Sequence, residues 1–343
     1  MNVLVTGTAG FIGAAVATRL LERGERVLGI DNLNDYYDVA LKQARLQPLL
    51  RHSGYTHLQA DIGDHAALER AFADFRPQRV VNLAAQAGVR YAAKNPHAYS
   101  ASNLTGFLHV LEGCRHHGVE HLVFASTSSV YGANTAVPFS EHAGTAHPLT
   151  FYAATKKANE MMAHAYAHLY GIPSTGLRFF TVYGPWGRPD MAPMLFARAI
   201  RAGEPIKVFN HGRHSRSFTY IDDIVEGVVR ALDLPARPDP EWSGADPDPA
   251  TSSAPYRIYN IGHQRPVQLM RFIELLEQEF GRKAVMEMLP LQPGDVPDTE
   301  ADTSELIAAT GYAPQVSIEE GVARFARWHR DYYPDVSAIP EHA

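Results

Sequence analysis

The sequence has 343 residues, enough for two structural units, and 45% of them are hydrophobic against 20% charged, the balance of a chain that buries a full core. Lys and Arg total 31 against 37 Asp and Glu, a net charge of -6, which excludes the basic stripe that nucleic-acid binding or a polybasic membrane patch requires. Cys114 is the single cysteine, which excludes an internal disulfide and a cysteine-based zinc site.

No apolar run reaches the ~20 residues of a bilayer span, and no signal peptide precedes the first apolar run, so a cytoplasmic location is expected. His164 and His168 stand four apart, but no carboxylate completes a ligand set, and no metal is expected.

Short apolar runs at Val3–Val5, Val27–Ile30, Val80–Leu83 and Leu122–Ala125 alternate with amphipathic stretches at roughly 11–22, 64–75 and 98–117. A helix over about 150–170 and a strand at Thr175–Phe180 continue the pattern. Such alternation predicts an α/β fold, a Rossmann-type doubly wound parallel sheet over 1–180, with strand and helix returns near 218–262. After Phe180 Pro and Gly become frequent, and 234–255 is rich in Pro, Asp and Ser, the composition of an exposed loop. A strand at Tyr256–Ile261 and helices near 267–280, 303–310 and 317–332 close the chain. A smaller, mainly C-terminal α/β substrate unit is expected over 181–217 and 263–343.

TGTAGFIG follows the first strand and places Gly7, Gly10 and Gly13 at three-residue steps, with Phe11 and Ile12 opening a helix. Glycine permits a tight strand-to-helix turn and close backbone approach to a pyrophosphate, which then meets the positive end of the helix. Asp31 lies 18 residues beyond Gly13, followed by Asn32, where a carboxylate can accept from an adenosine ribose and repel a 2′-phosphate. The expected cofactor is therefore NAD. Asp61 and Ile62 end a third strand and bracket the adenine, although Asp61 equally fits a helix N-cap.

YAATK puts Tyr152 and Lys156 four apart on one helix face, so phenol and ammonium can share a cleft. A free tyrosine, with a pKa of about 10, is a poor base at neutral pH, and neighbouring positive charge favours its phenolate. ASTSSVYG brings Thr127, Ser128 and Ser129 to the carboxyl edge of the sheet, where ligands bind; each hydroxyl equally fits a cap of the next turn.

Together with GIDNLNDYYD, NLAAQAGVRY, SNLTGF, GLRFFTVYGPWGRPDM, RSFTYIDDI, YNIG and PLQPGD, these motifs resemble the extended short-chain dehydrogenase/reductase family, and within it the UDP-glucuronate 4-epimerases. That resemblance implies Thr127, Tyr152 and Lys156 as the catalytic set. It implies NAD contacts from Ala84, Ala85, Gln86, Asn103 and Ser126, and UDP-sugar contacts from Arg90, Arg216 and Asp295. Related UDP-galactose epimerases commonly carry Arg before Pro-Gly-Asp, where this chain has Gln292. C4 oxidation of a uronate creates a β-keto acid prone to lose carbon dioxide, so the carboxylate must be held by a guanidinium and hydroxyls. Arg188, Thr181, Thr127, Ser128 and Ser129 are expected to do this.

A UDP-glucose/UDP-galactose epimerase is the nearest rival, and a dehydratase or decarboxylase the next. Dehydratases of this family usually place Asp-Glu after the catalytic Thr, where this chain has Ser128-Ser129. Family members usually pair through two helices, so a homodimer is expected through faces carrying Leu108, Leu111, Met161 and Tyr166.

Overall fold

The computed structural model describes residues 1–292, 296, 298–336 and 339. Its first half alternates β1 (Asn2–Thr6), α1 (Phe11–Glu22), β2 (Arg26–Asp31), α2 (Val39–Leu50), β3 (Tyr55–Gln59), α3 (His65–Phe75) and β4 (Arg79–Asn82). It continues with α4 (Phe107–His116), β5 (His121–Thr127), α5 (Phe151–Tyr170) and β6 (Ser174–Phe179). Then follow β7 (Thr181–Tyr183), α6 (Ala192–Ala202), β8 (Pro205–Val208), β9 (Ser215–Arg216), β10 (Phe218–Tyr220), α7 (Ile221–Asp233) and β11 (Tyr256–Ile261). The chain closes with β12 (Val267–Gln268), α8 (Leu269–Phe280), β13 (Val285–Met288), β14 (Asp298–Thr299), α9 (Ser304–Thr310) and α10 (Ile318–Tyr332).

Seven strands form one parallel sheet in the order β11-β6-β5-β4-β1-β2-β3. Strand residues alternate between its two faces. Val3, Val5 and Val123 pack with α1 and α7, while Leu4, Leu122 and Phe124 pack with Phe72 of α3 and Phe107 of α4. The strand order reverses between β1 and β4, so the crevice at their carboxyl ends is the place where this architecture binds ligands.

The small sheets β10-β7, β12-β9-β14 and β13-β8 come from the later chain. Thr150 caps α5 by accepting from Ala153 N, and Gly171, at φ +66°, ends it.

The stretch expected as one helix over 98–117 is interrupted. A π-helical segment, Ser100–Gly106, separates the turn Pro96–Tyr99 from α4. A Cβ on Gly106 would stand 2.6 Å from Ile62 Cγ1, so the chain here is shaped by what packs on it. The segment 234–255 has no helix or strand, as expected of a loop, but Ala250, Thr251, Ser252 and Ala254 are buried beside β11. Among the described residues no helix is long and apolar enough to cross a membrane.

Candidate active site

The glycine turn is packed backbone against backbone. Gly7 lies at φ +79° with its N–H donating to Ile30 O, and Gly10 N donates back to Gly7 O at 2.9 Å. A Cβ on Gly13 would stand 2.0 Å from Gly7 O, and one on Gly7 2.9 Å from Ala84 N. Gly10 caps α1 without a side chain, which leaves the first-turn N–H groups and the helix's positive end for an anion.

Asp31 is fixed by two backbone donors, Ala9 N at Oδ2 and Leu33 N at Oδ1, both at 2.9 Å. Asn32 Nδ2 donates to Asp61 Oδ2, and Gly63 N to Asp61 Oδ1, both at 2.7 Å. Asp64 rather than Asp61 caps the following helix, so Asp61 serves the strand-end loop. Gly7, Gly10, Phe11, Ile12, Gly13, Asp31, Asn32, Asp61, Ile62, Ala84, Ala85 and Gln86 all line one cleft of about 380 Å³. A glycine cradle at a helix N-terminus with a carboxylate at the next strand end fits a dinucleotide with a free ribose 2′-hydroxyl.

Two expected contacts act from behind this wall. Asn103 is buried, accepts from Gln86 N at 2.8 Å and donates to Gln86 O and Thr155 Oγ1, which pins the β4 loop to α5. Ser126 borders the cleft, but its hydroxyl donates to the buried Glu160 at 2.6 Å.

The same cleft receives Thr127 from the end of β5, Ser128 and Ser129 from the next turn, Tyr152 and Lys156 from α5, and Thr181 and Arg188 from the chain after β6. Thr127 Oγ1 also accepts from Ser129 N, the capping role left open by the sequence. Burial raises the Tyr152 phenol, and the Arg188 charge and the Thr127 hydroxyl pull it back down. Burial pushes the Lys156 ammonium down to about 8, against the upward pull of Glu160.

Arg188 makes a two-point contact with Asp190, Nε to Oδ1 at 3.0 Å and Nη2 to Oδ2 at 2.5 Å. Tyr36 donates its hydroxyl to Asp190 Oδ2 at 3.1 Å. A second guanidinium, that of the buried Arg45 on α2, donates to Ala9 O in the glycine turn and to Trp186 O and Gly187 O just before Arg188. Trp186 sits at φ +66°, a conformation costly for a bulky residue, and Arg45 holds its carbonyl through Nε and Nη2. The loop bearing Arg188 is thus tied to the glycine turn.

A second hollow of about 160 Å³ shares Ser128, Ser129 and Thr181 with the first and is lined further out by Arg216 and Val296. Arg90 is exposed, lies over the Phe209 ring at 5.2 Å, and lines neither space. Asp295 lies outside the described residues. Lys42, Arg45, Tyr36, Tyr37 and Asp190 escaped the sequence reading. The tyrosines and Asp190 had a signal, because LNDYYD and GRPDM belong to the motifs that carry the resemblance, without a role for these residues.

Behind Ser126, Glu160 pairs with Arg178 at 2.9 and 3.0 Å, both side chains almost fully buried. Burial opposes ionisation of Glu160, but Arg178 overcomes it and holds the carboxyl down at about 2. A depressed acid stabilises the fold above its unfolded pKa and loses that contribution as pH falls through the folded value. This pair therefore weakens between about pH 4.5 and pH 2. Glu160→Gln should cost about 3–5 kcal/mol in urea unfolding at pH 7, because it leaves a buried guanidinium unpaired. A loss below ~1 kcal/mol would show that the network relaxes around the change.

The sequence profile of the NAD dependent epimerase/dehydratase family matches residues 3–262. The chain belongs to this family. Among family members, it is 50% identical over 337 residues to a probable UDP-glucuronate 4-epimerase of Rhizobium meliloti (strain 1021), covering 97% of this chain and 98% of that one. It is 47% identical over 338 residues to UDP-glucuronate 4-epimerase 2 of Arabidopsis thaliana, covering 97% of this chain and 76% of that one. The structure is similar to the UDP-glucuronic acid 4-epimerase of Bacillus cereus in complex with UDP-glucuronic acid and NAD. There the TM-score is 0.87 at 32% identity, over 97% and 100% of the two chains.

Proposed function

We propose that this chain is an NAD-dependent isomerase that converts UDP-glucuronate to UDP-galacturonate by inverting C4 through a transient 4-keto sugar. The observation that carries the reading is Arg188, a guanidinium among Thr127, Ser128, Ser129 and Thr181 in the same cleft as Tyr152 and Lys156. A neutral hexose has no anion for that guanidinium, and a uronate does.

Gly7, Gly10 and Gly13 with the start of α1 would hold the pyrophosphate of NAD, and Asp31 the adenosine ribose. NAD held there would supply the hydride acceptor and donor that inversion at C4 requires. Tyr152 accepts the O4 proton as C4 is oxidised and gives it back on return, with Thr127 assisting at the same oxygen. Lys156 offers three N–H donors to the nicotinamide ribose from a buried position. Arg188 and the hydroxyls fix the carboxylate so that the C5–C6 bond stays out of line with the C4 carbonyl π system, which blocks its breakage. Arg216 and Asp295 are proposed to serve the UDP, and Arg90, which lies outside both hollows, is kept only as a proposed UDP-sugar contact. In this division of labour 1–180 carries the cofactor, with returns near 218–262, and 181–217 with 263–343 carries the nucleotide sugar.

The proposed setting is the cytoplasm, where Cys114, a buried free thiol, stays reduced. The assembly is a homodimer through α4 and α5. Leu108 and Met161 are exposed there, at 38% and 64%, and Tyr166 is half-buried, while Leu111 belongs to the core. Sedimentation at micromolar concentration should give twice the chain mass, and a monomer would overturn the pairing. For the activity, incubation with UDP-glucuronate or UDP-glucose followed by NMR decides. UDP-galacturonate from the first supports the reading, whereas UDP-galactose from the second alone, a pentose or a deoxy-keto sugar overturns it.

A further inference from the structure

The Asp190 carboxylate touches the guanidinium on its side edge only. Nε and Nη2 are engaged at 3.0 and 2.5 Å, so Nη1 and the second Nη2 proton, the end-on edge, are left to a further acceptor. Asp190 is itself held by the Tyr36 hydroxyl at 3.1 Å, and Tyr36 packs on Tyr91 with ring centroids 4.9 Å apart. Arg188 and Asp190 share similar, small exposures of 22% and 21%, so the contact is partly shielded from water. The carbonyls just before this segment are anchored by Arg45. The guanidinium is thus held along its side edge, and the backbone just before it is tied down.

We infer that Asp190 is a positioning residue for the uronate reaction: paired side-on with Arg188 and steadied by Tyr36, it sets the plane in which Arg188 presents its end-on edge to the sugar carboxylate. This rests on the epimerase reading above. Asp190 also moderates the attraction. With it, Arg188 and Asp190 are together neutral before substrate enters. Without its charge, the pocket carries an uncompensated cation that draws a uronate harder but holds it less well oriented. Loose orientation lets the C5–C6 bond align with the C4 carbonyl. The bond then breaks, its electron pair enters the carbonyl to give an enolate, carbon dioxide leaves, and C5 takes up a proton to give a 4-keto pentose.

The consequence is a split that damage to the fold does not produce. Asp190→Asn should lower KM for UDP-glucuronate about threefold or more while kcat falls about 10–100-fold. Labelled carbon dioxide should appear from uronate carrying ¹³C at C6. Asp190→Glu, which keeps the charge, should restore most of kcat and suppress the gas. Tyr36→Phe should leak carbon dioxide to a smaller extent.

Steady-state kinetics, gas release and thermal melting are measured on the full chain with NAD. A raised KM with lowered melting temperature and no carbon dioxide would assign Asp190 a structural role and overturn the inference, as would parental kinetics in Asp190→Asn. If the parent epimerises UDP-glucuronate and the variants fail these expectations, only this inference falls. A parent that leaves UDP-glucuronate unchanged removes the reading beneath it, and the inference with it.

Discussion

Tyr152→Phe should turn over UDP-glucuronate about 10²–10⁴-fold more slowly than the parent, the loss expected when a positioned acid–base group is removed. That is ~3–5 kcal/mol of barrier, carried by one hydroxyl. KM should stay close to the parent value, because the ring survives and still packs edge-on against Tyr99, with centroids 6.1 Å apart. Burial by itself holds the proton on this phenol, and only the Arg188 charge and the Thr127 hydroxyl oppose it in the protein alone. In the proposed reaction the base is therefore readied by the same residues that are proposed to hold substrate. Conversion followed by NMR at saturating substrate measures the effect, and a kcat within threefold of the parent would remove Tyr152 as the proton carrier.

Strand β3, YTHLQ, is half polar and was placed only by the Asp61-Ile62 that follow it, but most of the sheet was legible because β1, β2, β4 and β5 are short apolar runs. The glycine turn, Asp31 and the Tyr152–Lys156 pair were legible for the same reason: their meaning lies in spacing along one segment. Where the reading failed, the cause was a contact between distant segments. The helix over 98–117 is broken at a π-helical turn whose Asn103 serves the β4 loop, 17 residues away. Arg45 lies on α2, a helix absent from the sequence-based expectations, and its partner, the Trp186 carbonyl, is 141 residues later. Asp190, two residues from Arg188, carries no signal of its own in the sequence beyond its place in the GRPDM motif. Only the fold shows that Tyr36, 154 residues earlier, closes the arrangement around it.

Arg188→Ala should lower kcat/KM for UDP-glucuronate by about 10²–10³-fold, the scale seen when one partner of a shielded, hydrogen-bonded ion pair is removed. Three losses combine. The substrate carboxylate loses its guanidinium. Asp190 keeps its charge with no cation beside it, held by the Tyr36 hydroxyl and a backbone N–H, and now repels the incoming uronate. The Tyr152 phenol loses the cation that lowers its pKa, so that pKa rises, less phenolate is present at a given pH, and the acid limb of the kcat/KM profile moves to higher pH. Arg188→Lys separates the last effect from the first. A lysine keeps the positive charge and should leave the limb near its parental position, yet it lacks the planar fork that fixes a carboxylate and should release carbon dioxide. Product analysis and pH profiles of the two variants together test both roles. Normal kinetics without pentose in Arg188→Ala would end the carboxylate clamp, and an unmoved acid limb would end its electrostatic hold on Tyr152.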